Sequence, residues 1–149
     1  MITEAVLCLA LNVYFEARNQ PLAGQIAVSQ VVMNRVESEY FPDTACDVIT
    51  QGPTRPSWKD PQVEYPVRNR CQFSWYCDGK PDEPRELEAW QTSWTVAWGV
   101  YHDQVDDLVD GALWYHAHYV TPEWAETKQP TAFIGDHIFY KRKDDESAY

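Results

Sequence analysis

Long apolar runs are missing from this chain of 149 residues: no stretch of about 18 consecutive apolar residues occurs, so a membrane-spanning helix is not expected. Basic charge is scarce. Lys and Arg total 12 against 23 Asp and Glu, a formal charge of -11, which repels phosphate backbones and anionic membrane surfaces, so neither nucleic acid nor membrane insertion is expected. Glycine is sparse, at six, and forms neither a phosphate-cradling loop nor a Gly-x-Ser-x-Gly elbow, which argues against nucleotide chemistry and a serine nucleophile. The N-terminus lacks the basic segment and small-residue cleavage site of a secretory signal.

Aromatic residues, in contrast, are plentiful: seven Trp, nine Tyr and five Phe, side chains that fill a core or line a groove for flat ligands such as sugar rings. With 44% hydrophobic content the length suits one buried core and one domain. There are no internal repeats.

Apolar spacing places the elements. Leu7, Leu11 and Tyr14, with Ala10 and Ala17 alongside, mark a first helix capped by Thr3 and stopped at Asn19-Gln20-Pro21. A second runs from about Ala23 to Val36 on Ala27/Val28, Val31/Val32 and Val36, with Asn34 and Arg35 closing it. Between Pro42 and Pro84 the chain is irregular, with turn signals at Gln51-Gly52-Pro53 and Asp78-Gly79-Lys80-Pro81. This segment is expected to form a wall of the groove carrying short strands or a hairpin. Leu87, Trp90, Trp94, Ala97/Trp98 and Tyr101 predict a helix over 86–101, with its Trp stripe read as core. Leu113 to Tyr119 is extended in character, Thr131 to Tyr140 reads as two short strands about Gly135-Asp136, and a polar tail occupies 142–149.

The first helix delivers one carboxylate, Glu16, at its C-terminal end. The negative end of the macrodipole and the neighbouring Tyr14 and Phe15 both raise a carboxyl's pKa there, which suits a general acid. The plainer alternative is a solvated Glu paired with Arg18. Among the four cysteines, Cys8 reads as a small buried hydrophobe in the helix, and one disulfide is expected among Cys46, Cys71 and Cys77 if the protein works outside the cell. His116 and His118 could begin a zinc site, but no third ligand is evident, so neither a metal nor another cofactor is expected.

A series of motifs in order makes the sequence resemble the SleB-type cell wall hydrolases, the spore-cortex-lytic enzyme family. They are Tyr14-Phe15-Glu16-Ala17-Arg18, Gly24-Gln25-Ile26-Ala27-Val28, Val32-Met33-Asn34-Arg35-Val36, Cys71-Gln72-Phe73-Ser74, Ala112-Leu113-Trp114-Tyr115-His116-Ala117, Pro122-Glu123-Trp124-Ala125 and Ile134-Gly135-Asp136-His137-Ile138-Phe139-Tyr140. The resemblance implies a compact lysozyme-like α+β domain over 1–141, mainly helical with a small sheet or hairpin region. It implies a lytic transglycosylase acting at the MurNAc-GlcNAc bond of peptidoglycan, with Glu16 as its catalytic residue. Gln72, Phe73, Ser74, Tyr115, His116 and Gln25 are then the expected substrate-binding groove. A monomer is expected.

The spore enzymes generally carry an export signal and a separate wall-binding domain, neither of which is expected here, and the cysteines look more like a Gram-negative or viral branch. The expectation from this is cytoplasmic accumulation with release to the wall, as for a phage endolysin. The competing readings are a hydrolytic muramidase, a metal-dependent peptidoglycan amidase using His116 and His118, and a non-enzymatic carbohydrate-binding module.

Overall fold

The computed structural model describes residues 3–143. Helix α1 (Glu4–Ala17) starts where the Thr3 hydroxyl accepts the backbone N–H of Val6, satisfying one of the donors left open at a helix N-terminus. It is the central element, packed against α2 (Leu22–Glu37), α3 (Ala45–Ile49) and α4 (Leu87–Tyr101). Its buried stripe is Val6, Leu9/Ala10, Val13 and Ala17, the 3.6-residue period. Ala10, Tyr14 and Ala17 of the expected stripe are buried and Leu11 is half-buried; the stripe is rotated only enough to leave Leu7 exposed, on the edge that the three helical neighbours do not cover.

A similar rotation corrects the reading of α4. Ser93, Val96, Ala97 and Val100 are its buried residues, whereas Trp90 and Trp94 pack at the core margin and Leu87 and Trp98 are exposed. Large rings span the boundary of an interface better than its narrow centre, where small residues let α4 approach α1. The Tyr14 hydroxyl accepts the backbone N–H groups of Arg85 and Glu86, each at 3.1 Å, at the start of α4.

The irregular middle holds α3 and then a hairpin of β1 (Thr54–Pro56) and β2 (Glu64–Pro66), in the expected region. A 3-10 turn over Ser74–Cys77 follows. Two disulfides brace this half: Cys8–Cys46, joining α1 to α3, and Cys71–Cys77, closing the segment that carries Gln72 and Phe73. The second lies among the three expected cysteines, but Cys8 is not a free buried thiol. Helix packing brings its Cα within 5.3 Å of that of Cys46, inside bridging range.

The C-terminal part forms an antiparallel sheet of β3 (Trp114–Ala117), β4 (Lys128–Ile134) and β5 (His137–Arg142) in the order β3-β5-β4. A 3-10 turn, Glu123–Thr127, leads into β4. Strand β4 lies at the edge, which tolerates Pro130, and the register slips between Pro130 and Ala132. Strand β5 runs to Arg142, so the expected tail begins later; residues 144–149 lie outside the described residues.

The sheet packs on α2 and the end of α1 through Ala17, Ala27, Val28, Val31, Val109, Ala112 and Phe139. Gln20, in the turn between α1 and α2, donates from Nε2 to Asp136 Oδ2 at 3.0 Å and accepts the Asp136 backbone N–H at 2.9 Å. Gly135 has φ of +58°, and a Cβ there would lie 2.4 Å from Gln20 Oε1. The left-handed turn favours glycine, and a side chain there would have to displace the Gln20 amide from its bonds to Asp136. The clamp fixes the sheet against the last turn of α1, where Glu16 sits.

Candidate active site

Glu16 is the penultimate residue of α1 and is half-buried against the sheet. The Tyr115 hydroxyl on β3 donates to Glu16 Oε1 at 2.7 Å. Burial pushes the Glu16 carboxyl above its ordinary range; the Tyr115 hydrogen bond and the Arg35 guanidinium pull it back in part. The same burial, with the neighbouring carboxylate, raises the Tyr115 phenol well above 10, so Tyr115 stays a donor. The suggested partner Arg18 turns elsewhere: it pairs with Glu86 at 3.4 Å on the surface and donates to the Tyr14 carbonyl at 3.2 Å.

Arg35 is the residue that sequence reasoning missed. It reads there as a helix-closing cation, yet it lies seven residues after Val28 and four after Val31, on the buried stripe of α2. A charge on that stripe is the signal that could have found it. Its side chain donates from Nε to the Leu113 carbonyl at 2.8 Å and from Nη1 to Gln72 Oε1 at 3.5 Å. The guanidinium lies over the rings of Phe41, at 4.8 Å, and Phe73, at 5.6 Å. Burial makes this cation easier to deprotonate than an ordinary arginine, while Tyr115 and Glu16 oppose the shift.

The expected groove residues divide. Tyr115 touches Glu16 directly, and Gln72, exposed to solvent, reaches the same neighbourhood through Arg35. Ser74 is exposed at the start of its 3-10 turn. Phe73 is 3% exposed and lies beneath the Arg35 guanidinium, so it supports the groove and does not line it. Gln25 is buried and donates to the Gln20 carbonyl at 3.1 Å, behind the loop that follows Glu16.

His116 does not join Glu16. Side chains alternate along a strand, so with Tyr115 facing the helices His116 faces the other way, where it stacks on Tyr140 and meets Trp124. A carbonyl only accepts, so Nδ1 carries the proton it donates to Ala117 O at 2.8 Å, and Nε2 accepts the Tyr140 hydroxyl at 2.7 Å. His118 lies beyond β3, stacked on Phe133. On the Tyr115 face it is His137 whose ring meets the tyrosine edge-on at 5.1 Å, and burial lowers its pKa.

Removing the Tyr115 hydroxyl separates positioning from packing. Tyr115→Phe keeps the ring contacts with Phe139 and His137 but deletes a bond that favours the Glu16 carboxylate. The alkaline limb of the pH-rate profile is expected to move to higher pH, with kcat reduced roughly tenfold or more as the acid loses its fixed orientation. An unmoved limb would show that the bond does not act on Glu16.

One half-buried acid at a helix end, held by a tyrosine from a small antiparallel sheet, defines an α+β enzyme arranged for proton transfer. The chain belongs to the cell wall hydrolase family, whose model, Hydrolase_2, matches residues 19–140. Glu16 lies just ahead of that stretch. The spore cortex-lytic enzyme of Oceanobacillus iheyensis is 29% identical over 133 residues, covering 89% of this chain and 40% of the relative; that of Bacillus cereus is 29% identical over 134 residues, covering 89% and 42%. The chain thus spans about two fifths of the length of these relatives.

Among solved structures, the catalytic domain of the germination-specific lytic transglycosylase SleB from Bacillus anthracis superposes with a TM-score of 0.69 at 27% identity, covering 95% of this chain and 97% of that one. The catalytic domain of the Bacillus cereus SleB protein gives 0.64 at 28%, covering 95% and 93%.

Proposed function

We propose that the chain cleaves the glycan strand of peptidoglycan at the MurNAc-GlcNAc bond as a lytic transglycosylase, with Glu16 as its single acid and base. The observation that carries this is the pairing of a half-buried carboxyl of raised pKa with Tyr115, with no second carboxylate among the described residues acting on it. A hydrolytic glycosidase ordinarily sets two carboxylates about the scissile bond. One carboxyl suffices when the sugar supplies its own nucleophile.

Protonated Glu16 gives its proton to the bridging oxygen as the bond to C1 of the muramic acid breaks, leaving oxocarbenium-like charge on that ring. Tyr115 occupies Oε1, so Oε2 is the oxygen left to carry the proton. The resulting carboxylate then takes the proton of the C6 hydroxyl as its oxygen bonds to C1, closing a 1,6-anhydro ring and restoring the acid. Gln72, held by Arg35, supplies polar atoms at the groove edge for the sugar or its N-acetyl group.

Mass analysis of soluble products from digested sacculi is the test. Anhydro-muropeptides are expected; reducing muramic ends would instead establish a muramidase, with water as nucleophile. Free stem peptides would establish an amidase, although among the described residues no three His, Cys, Asp or Glu side chains cluster as metal ligands.

A further inference from the structure

The β1-β2 hairpin carries chemistry that the acid site does not use. A cleft of about 420 Å³, large enough for a sugar ring, is lined there by Arg55, Pro56, Ser57, Trp58, Lys59 and Tyr65. Trp58 is 88% exposed and Tyr65 54% exposed, and two flat rings lining one cleft offer a face on which a sugar ring packs. Arg55 lies directly across the ladder from Tyr65, and Lys59 Nζ sits 5.5 Å from the centre of the Trp58 ring.

The loop is ordered by its own bonds. Ser57 N–H donates to Val63 O at 2.7 Å, Val63 N–H to Asp60 O at 2.9 Å, and Gln62 N–H to Asp60 Oδ1 at 3.1 Å.

Charge and position both identify an occupant. The cleft is lined by two cations, Arg55 and Lys59, and by no carboxylate, within a chain of formal charge -11. Such a local reversal attracts an anionic ligand that the rest of the surface repels. At the hairpin base Val67 N–H donates to Pro53 O at 2.9 Å, and Gln72 N–H donates to Gln51 O at the same distance. The hairpin therefore grows from the same braced segment that sets Gln72 beside Arg35.

We propose that this hairpin is a second binding site for the glycan strand, remote from the scissile bond. Trp58 and Tyr65 stack on a sugar ring, and Arg55 and Lys59 meet the carboxylates of the attached stem peptides. The inference rests on peptidoglycan being the substrate and adds to it a holding site that favours long, peptide-bearing strands.

The test is co-sedimentation of the full chain, in a Glu16→Gln background whose turnover is slow against the binding step, with purified Gram-negative sacculi, which carry no teichoic polymers. Trp58→Ala and Tyr65→Ala are each expected to raise the apparent Kd roughly fivefold to tenfold, with thermal unfolding unchanged because both side chains are exposed. Arg55→Gln with Lys59→Gln is expected to weaken binding and flatten its salt dependence. Glycan stripped of stem peptides should lose this charge contribution and keep the aromatic one. With Glu16 restored, Trp58→Ala is expected to raise KM on long strands and leave kcat unchanged. If the native chain cleaves sacculi while all these variants bind as tightly as the parent, the second site is overturned and the acid site stands. If the native chain neither binds nor cleaves sacculi, both readings fall.

Discussion

Replacing Glu16 with Gln is expected to lower the rate of glycan cleavage by roughly 10²–10⁴-fold, the usual contribution of a positioned general acid, while making the fold no less stable. The two effects have one cause. Burial holds the folded-state pKa of Glu16 above its ordinary 4.5, so ionising it costs more in the fold than in the unfolded chain. The sign follows by linkage: the native group's contribution is fully present below the unfolded value and is lost as pH rises through the folded one. Gln cannot ionise, and its side-chain oxygen can still accept the Tyr115 hydroxyl.

The difference in Tm between Glu16→Gln and the native chain is therefore expected to be small in acid, to grow in the variant's favour as pH rises from the unfolded value to the folded one, and to level off above it. Thermal unfolding across a pH series checks it, alongside turbidity loss of permeabilised cells for the activity. A variant that unfolds more easily at neutral pH would mean that the carboxylate is a structural anchor.

Removing the Cys8–Cys46 bridge, as Cys8→Ala with Cys46→Ala, is expected to destabilise the chain by about 4 kcal/mol, the chain-entropy value for a closed loop of this length. The bridge spans 38 residues of sequence and ties α1, the core's central helix, to α3. The Cys71–Cys77 bridge spans only 6, for which the same relation gives about 2 kcal/mol. The ranking should invert for activity. Cys71 and Cys77 flank Gln72 and Phe73, which contact Arg35 beside Glu16, whereas Cys8 lies two turns from the acid. Urea unfolding midpoints and kcat, measured on both double variants, check this. Equal midpoints for the native chain and the Cys8/Cys46 variant would show that helix packing alone holds α3.

The cysteines illustrate where local reading stops. Cys8 sits amid helical residues, and nothing within several positions of it distinguishes a packed thiol from a bridged one. Its partner is set by the way α3 folds back on α1. His116 fails for a different reason. Its neighbour Tyr115, expected in the same groove, donates to the acid, and strand alternation then forces the histidine to the opposite face. The motif's adjacency in sequence is a separation in space. The tryptophans of α4 show the period of a helix correctly and its phase incorrectly, since an apolar stripe does not record which of its edges faces a neighbour.

By itself the sequence determined the three long helices, the paired strands about Gly135, the acidic charge, the lack of any apolar run long enough for a membrane-spanning helix, and the carboxyl at the end of α1. These follow from local spacing, capping and charge, which need no knowledge of distant residues. The tertiary structure alone decided that Arg35 lies beside that carboxyl, that Gln20 clamps the sheet against it, and that the exposed Trp58 shares a cleft with Arg55, Lys59 and Tyr65. A buried charge, a clamp and a cleft are each made by elements far apart in the chain, and only their packing sets the distances and the loss of water on which their chemistry depends.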